Sequence, residues 1–227
     1  MDFLQFNILN VIFKGMVIGI VASAPMGPVG ILCVQRTINK GRWYGMATGV
    51  GASVSDIIYA LITGLGMSLV LNFFRNESTK FYFQIIGGII LLLFGIYCFR
   101  SKPMESAQHL SHVRSKGTLL HNGVTAFLIT FANPLIVFLF IALFAQFAFI
   151  MPGHPILMII GYLSIIFGAN LWWYGLTWMV DKIRNKFDEQ GVRIINRFIG
   201  SIVIICSIIT LIGTIFNLSF MNFLMDK

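Results

Sequence analysis

The sequence predicts an all-α integral membrane protein whose six transmembrane helices form two inverted three-helix repeats, with helices 1 and 4 broken at proline motifs. Three observations lead there. Of the 227 residues, 57% are hydrophobic and 11% charged, too little polar surface to enclose a soluble core of this size. Charge-poor apolar stretches recur near 11–35, 43–70, 81–99, 118–148, 155–180 and 198–217, where about 20 residues suffice to cross the hydrocarbon. Most of the basic residues fall between alternate stretches.

The first ten residues lead straight into span 1 without a basic head, so no removable signal peptide is expected. The connection after span 1 carries Arg36, Lys40 and Arg42. The one after span 3 carries Arg100, Lys102, Arg114 and Lys116, and the one after span 5 carries Lys182, Arg184, Lys186, Arg193 and Arg197. Span 2 is followed only by Arg75 and Lys80, and span 4 by neither Lys nor Arg. Connections 36–42, 100–117 and 181–197 should therefore be cytoplasmic and both termini outside, as expected of a multi-pass protein of the cell membrane. The same distribution accounts for the net charge of +8 without invoking nucleic acid.

The long polar connection 101–117 divides one transporter domain into repeat 1, about 1–100, and repeat 2, about 118–227. Three spans per half is an odd number, so the halves should have opposite topology. Spans 1 and 4 are then equivalent, and each is interrupted: "APMGPVGIL" puts Pro25, Met26, Gly27 and Pro28 in the first, and Asn133-Pro134 stands in the second. Helices broken at corresponding positions of inverted halves point to a substrate site near the bilayer midplane. "GAS" at 51–53 and "GAN" at 168–170 form a short further echo.

Proline lacks an N–H and clashes with the carbonyl four residues earlier, so the carbonyls of Val21, Ala24 and Thr130 should lose their helical partners. The first amides of each new half-helix, from Val29 to Ile31 and from Leu135 to Val137, should suit a carboxylate. The freed carbonyls suit an ammonium group. Asn133 can cap the second half-helix or present its amide to substrate. Proline kinks that serve packing alone are the alternative.

Asp56 is read as the one charged residue in the central part of a span. Its insertion costs about 2.5–3.5 kcal/mol, which makes such a residue a functional candidate. It can accept a transported proton or pair with a substrate amino group. A purely structural acid would instead bond Ser53 or Ser55. In span 5, Asn170 and Trp173 are candidate cavity residues, Trp173 as an apolar or cation–π wall, and Trp178 is an interfacial anchor. Gly45, Gly49, Gly64, Gly66, Gly87, Gly88 and Gly95 permit close helix approach. Cys33, Cys98 and Cys206 lack the spacing of a disulfide framework or thiolate metal site. His109, His112 and His121 lie in or beside a solvated connection without further ligands, so no metal and no cofactor is expected.

The stretch from Ala24 to Gly66, "APMGPVGILCVQRTINKGRWYGMATGVGASVSDIIYALITGLG", resembles the LysE/RhtB family of amino-acid exporters, with its P-x-G-P first helix and its Gly-rich, acid-bearing second helix. "IIGGIILLLFGIYCFR", "FANPLIVFLFIALF" and "INRFIGSIVIICSIITLIG" resemble the family's third, fourth and last helices. The resemblance covers almost the whole chain. It implies a proton-coupled secondary transporter, not an enzyme, that exports amino acids or related small metabolites. Pro25, Gly27 and Pro28 match the family's broken-helix motif, Asp56 its second-helix acid, and Asn133 and Pro134 its second break. Leu135 stands where many relatives have Lys. A thiol-relay membrane oxidoreductase of similar architecture and an inorganic-ion transporter are the alternatives, and monomer and homodimer are both open.

Overall fold

The computed structural model describes residues 2–25, 27–73, 77–100, 117–151, 153–182 and 189–215. Among them every regular element is helical: α1 (Asp2–Ser23), α2 (Pro28–Lys40), α3 (Arg42–Phe73), α4 (Glu77–Arg100), α5 (Leu119–Phe131), α6 (Leu135–Gln146), α7 (Pro155–Lys182) and α8 (Glu189–Ile215). Three stretches are individually long and apolar enough to cross a membrane: Arg42–Met67, Pro155–Lys182 and Arg193–Ile215. With α1–α2 and α5–α6 each taken as one bent span, there are five. The expected third span falls in α4, whose apolar part, Gln84–Arg100, is about 26 Å long at 1.5 Å per residue.

The breaks are sharper than kinks. The axis turns by 81° between α1 and α2 and by 75° between α5 and α6. Pro28 occupies the first turn of α2, where a missing N–H costs nothing, and Thr118 caps α5 by accepting from the His121 N–H. Between α2 and α3 the chain reverses within a single residue, Gly41, at φ 97°, a left-handed conformation that glycine adopts without strain.

Three helices run past the apolar spans read from the sequence. α1 begins at Asp2 rather than near residue 11, so Lys14 lies in mid-helix and is partly buried. Connection 36–42 is helical up to Lys40, and Arg36 within it is buried, 2% exposed. Its Nη1 donates to Thr48 Oγ1 at 2.9 Å and to the Asn122 carbonyl at 2.8 Å. Neutral acceptors from α3 and α5 thus hold a buried cation. Residues 189–197, expected in a connection, likewise belong to α8. Most of connection 100–117, with His109 and His112, lies outside the described residues.

Small residues set the packing. Gly15 and Gly19 of α1 lie against the backbone of α7 around Gly161 and Ile165, and Gly168 of α7 lies against Met16. Gly51 of α3 meets the backbone of Gly123 in α5 so closely that a Cβ would overlap its carbonyl. Such contacts let helices approach where lipid supplies no hydrophobic drive. α4 packs along α8 and against α6, and α2 packs along α3. Outward, α7 shows lipid a stripe of exposed apolar residues at helical spacing: Ile156, Ile159, Leu163, Phe167, Leu171 and Trp178. Inward, Phe140, Phe144 and Phe149 are fully buried, with Phe144 stacked on Phe149 at 4.8 Å between centroids and Tyr162 edge-on to Phe149 at 6.0 Å.

Candidate functional site

At the first break the Ala24 N–H still reaches the Ile20 carbonyl, and the Gly27 N–H turns back to the Pro25 carbonyl at 2.9 Å. Gly27 precedes α2 in extended conformation and supplies no side-chain cap. The Ile31 N–H is taken by the Gly27 carbonyl at 3.1 Å, which closes one of the three amides expected to be free.

The second break is satisfied from within. Asn133 Oδ1 accepts from the Leu135 N–H at 3.1 Å, while the Ile136 and Val137 amides donate to the carbonyls of Asn133 and Pro134 at 3.3 Å. The carbonyl of Thr130, expected to be orphaned, accepts from the Asn133 N–H at 3.0 Å. The chain resolves Pro134 by tightening into a 3₁₀-type turn, so these groups are not free for a ligand.

Both breaks open on one cavity of about 330 Å³. Pro25, Gly27, Pro28, Val29 and Gly30 line it from the first, and Ile129, Thr130, Asn133, Leu135 and Ile136 from the second. Ala52 and Asp56 come from α3 and Trp173 from α7. Asp56 is buried, 6% exposed, and its Oδ2 accepts from Ser23 Oγ at 3.3 Å. That partner comes from the end of α1, not from its own helix: Ser53 donates to the Gly49 carbonyl, and Ser55 has no partner. Among the described residues Asp56 is the only charged side chain in the wall. Trp173 lies over Gly49, where a Cβ would strike the indole.

Of the remaining sequence candidates, Pro134 starts α6 without reaching the wall, and Asn170 bonds the Ile166 carbonyl within α7 at 2.9 Å, also away from it. Met26 lies outside the described residues. The structure adds wall residues that sequence reasoning missed: Phe94, Tyr97 and Cys98 of α4 and Asn196 of α8. Asn196, an amide near the start of the last apolar run, was the one signal available. All three cysteines are free. Cys33 donates to the Gly45 carbonyl at 3.3 Å and Cys98 to that of Asn196 at 3.5 Å, so neither sulfur faces a second sulfur.

A largely apolar chamber between two broken helices, with one carboxylate and, among the described residues, no cation in its wall, has the chemistry to hold a solute carrying a positive charge. The family model described as LysE type translocator matches residues 20–214, which include both breaks, Asp56 and the whole cavity wall. The chain belongs to the LysE type translocator family. As a LysE-type translocator it is a multi-pass membrane transporter, and members of this family are transporters rather than enzymes. It is similar to a curated protein of Bacillus subtilis (strain 168) named "Putative amino acid efflux protein YcgF", with 24% identity over 189 residues, 82% of this chain and 87% of the relative. No solved structure matches.

Proposed function

We propose that this LysE-type translocator exports amino acids or related small metabolites across the cytoplasmic membrane, coupled to proton uptake through Asp56. The observation that carries the reading is an isolated buried carboxylate in a cavity bounded by both helix breaks. A cargo ammonium pairs with Asp56, and a proton takes its place when the cargo leaves. Either occupant neutralises a charge that is costly in low dielectric. The start of α2, at Val29 and Gly30, is the anion-favouring side of the chamber. Pro25, Gly27, Pro28, Asn133 and Trp173, which line the chamber, make up the substrate region in this reading, and Asp56 is the coupling residue.

The same reading takes α1–α2 and α5–α6 as spans 1 and 4 of two inverted three-helix halves, with basic connections in the cytoplasm and both termini outside. The packing is in keeping with it. α1 lies along α7 and α5 along α3, so the first half-helix of each half rests on the second helix of the other. Alternating access then follows from one half rocking against the other about the fixed cavity.

The test is efflux of a labelled amino-acid panel from cells expressing the wild type or Asp56→Asn, with and without a protonophore, after equal membrane insertion has been checked by immunoblot. Efflux that needs both Asp56 and the gradient is expected. Undiminished export by Asp56→Asn would remove the coupling role, and no efflux of any amino acid by the wild type would remove the cargo class.

A further inference from the structure

The start of α3 and the end of α7 meet at small residues. A Cβ on Gly45 would lie 3.0 Å from Thr177 Cγ2, and one on Gly49 would strike the Trp173 indole. This close approach sets Arg42, the first residue of α3, beside Tyr174 of α7. Its guanidinium lies over the Tyr174 ring, 4.2 Å from the centre, and 5.5 Å from the centre of Trp43. Lys182, the last residue of α7, leans back over Trp178 with its Nζ 5.1 Å from the ring centre. Tyr174, Trp178 and Lys182 recur every fourth residue and so share one helix face.

That face is the one α7 turns to lipid. Tyr174 and Trp178 are half exposed and continue, at helical spacing, the exposed apolar run of Phe167 and Leu171; Trp43 beside them is exposed as well. The two cations are engaged by rings and by nothing else. Among the described residues neither makes a hydrogen bond or an ion pair, and Asp181, the acid next to Lys182, takes neither of them. Lys40 is different: it lies over Tyr44 but also donates to the Gly117 carbonyl at 3.2 Å. Of the Arg42 guanidinium only Nη2 is buried without a partner. A guanidinium held over a ring uses its face and keeps its edge, the fork that fits phosphate oxygens two at a time. An ammonium over an indole likewise keeps N–H groups for an acceptor.

We propose that this corner of α3 and α7 binds an anionic phospholipid, whose phosphate takes the edge of Arg42 and the Lys182 ammonium while an acyl chain lies along Phe167, Leu171 and the exposed rings. The occupant follows from the surroundings. Two cations without a counter-ion stand at the end of a helix long and apolar enough to cross a membrane, where a negative headgroup is the complementary charge. A soluble phosphate would meet the same cations but make no use of the apolar stripe that runs up to them. A headgroup shared by Arg42 and Lys182 also ties α3 to α7. Neither residue lines the cavity, so the inference does not depend on the cargo.

The experiment measures lipid binding to the purified protein in detergent by native mass spectrometry, with phosphatidylglycerol and phosphatidylcholine of the same acyl chains. The wild type is expected to bind phosphatidylglycerol more tightly. Arg42→Gln and Lys182→Gln should each weaken phosphatidylglycerol about fivefold, and together about thirtyfold, with phosphatidylcholine unchanged. Arg197→Gln, which removes a cation held over Phe99 elsewhere on the bundle, should change neither. Equal affinity of the wild type for the two lipids, or an equal loss of both in the double variant, would overturn the headgroup site. Displacement of the lipid by glycerol 3-phosphate at a comparable concentration would overturn the lipid in favour of a soluble phosphate. Lys182 is exposed at the end of its helix, so Lys182→Gln tests the site even if the double variant does not fold: undiminished binding of phosphatidylglycerol by that variant would overturn it.

Discussion

The two broken helices turn by nearly the same angle, 81° and 75°, yet they are built by different chemistry. At the first, two prolines and a glycine interrupt the chain, and α2 starts without a side-chain cap, its first residues facing the cavity. At the second, Asn133 caps Leu135 and a tight turn consumes the amides and the Thr130 carbonyl. The first break therefore brings the uncapped start of a helix to the cavity wall, while the second is a hinge that satisfies its own backbone. A proline motif in a membrane helix predicts a bend. It does not say whether the released groups stay free.

The helices that follow the breaks differ in the same sense. α2 is tied sideways by a polar group, the Arg36 guanidinium on Thr48 and the Asn122 carbonyl. α6 is tied by rings, Phe144 against Phe149 just beyond the helix at 4.8 Å and against Tyr162 of α7 at 6.5 Å. Four substitutions probe this contrast, three of them in decreasing order of effect and one a control. Phe144→Ala should empty the centre of the aromatic cluster and cost about 3–5 kcal/mol, read as a lower unfolding temperature in detergent. If α6 is instead held by its own turn, that temperature will barely move. Gly51→Ala should press a methyl group into the Gly123 backbone and cost about 1–3 kcal/mol by the same measurement. Gly27→Ala, where nothing lies within 4 Å of an added Cβ, is its control and should leave the unfolding temperature within ~0.5 kcal/mol of wild type. Asn133→Ala should remove only a cap, about 1 kcal/mol, and reduce transport less than Asp56→Asn does. Loss of transport as complete as that of Asp56→Asn would make Asn133 a substrate ligand and erase the distinction between the breaks.

By itself the sequence determined that the chain is helical and membrane-embedded, where its helices break, and that Asp56 is a costly acid in an apolar run. Each of these depends on local properties: the length of an apolar stretch, the missing N–H of proline, the insertion penalty of a carboxylate. Most of the helix positions were legible for that reason, while α1 extends to Asp2, beyond its apolar run, because hydropathy alone does not mark where a helix begins. Only the tertiary structure decided that Ser23 rather than Ser53 or Ser55 bonds Asp56, that Arg36 is buried against α3 and α5, and that α4 and α8 complete the cavity. These are contacts between residues 12 to 100 or so positions apart in the chain, set by which faces of the helices meet at their glycines, and no periodicity within a single helix encodes them.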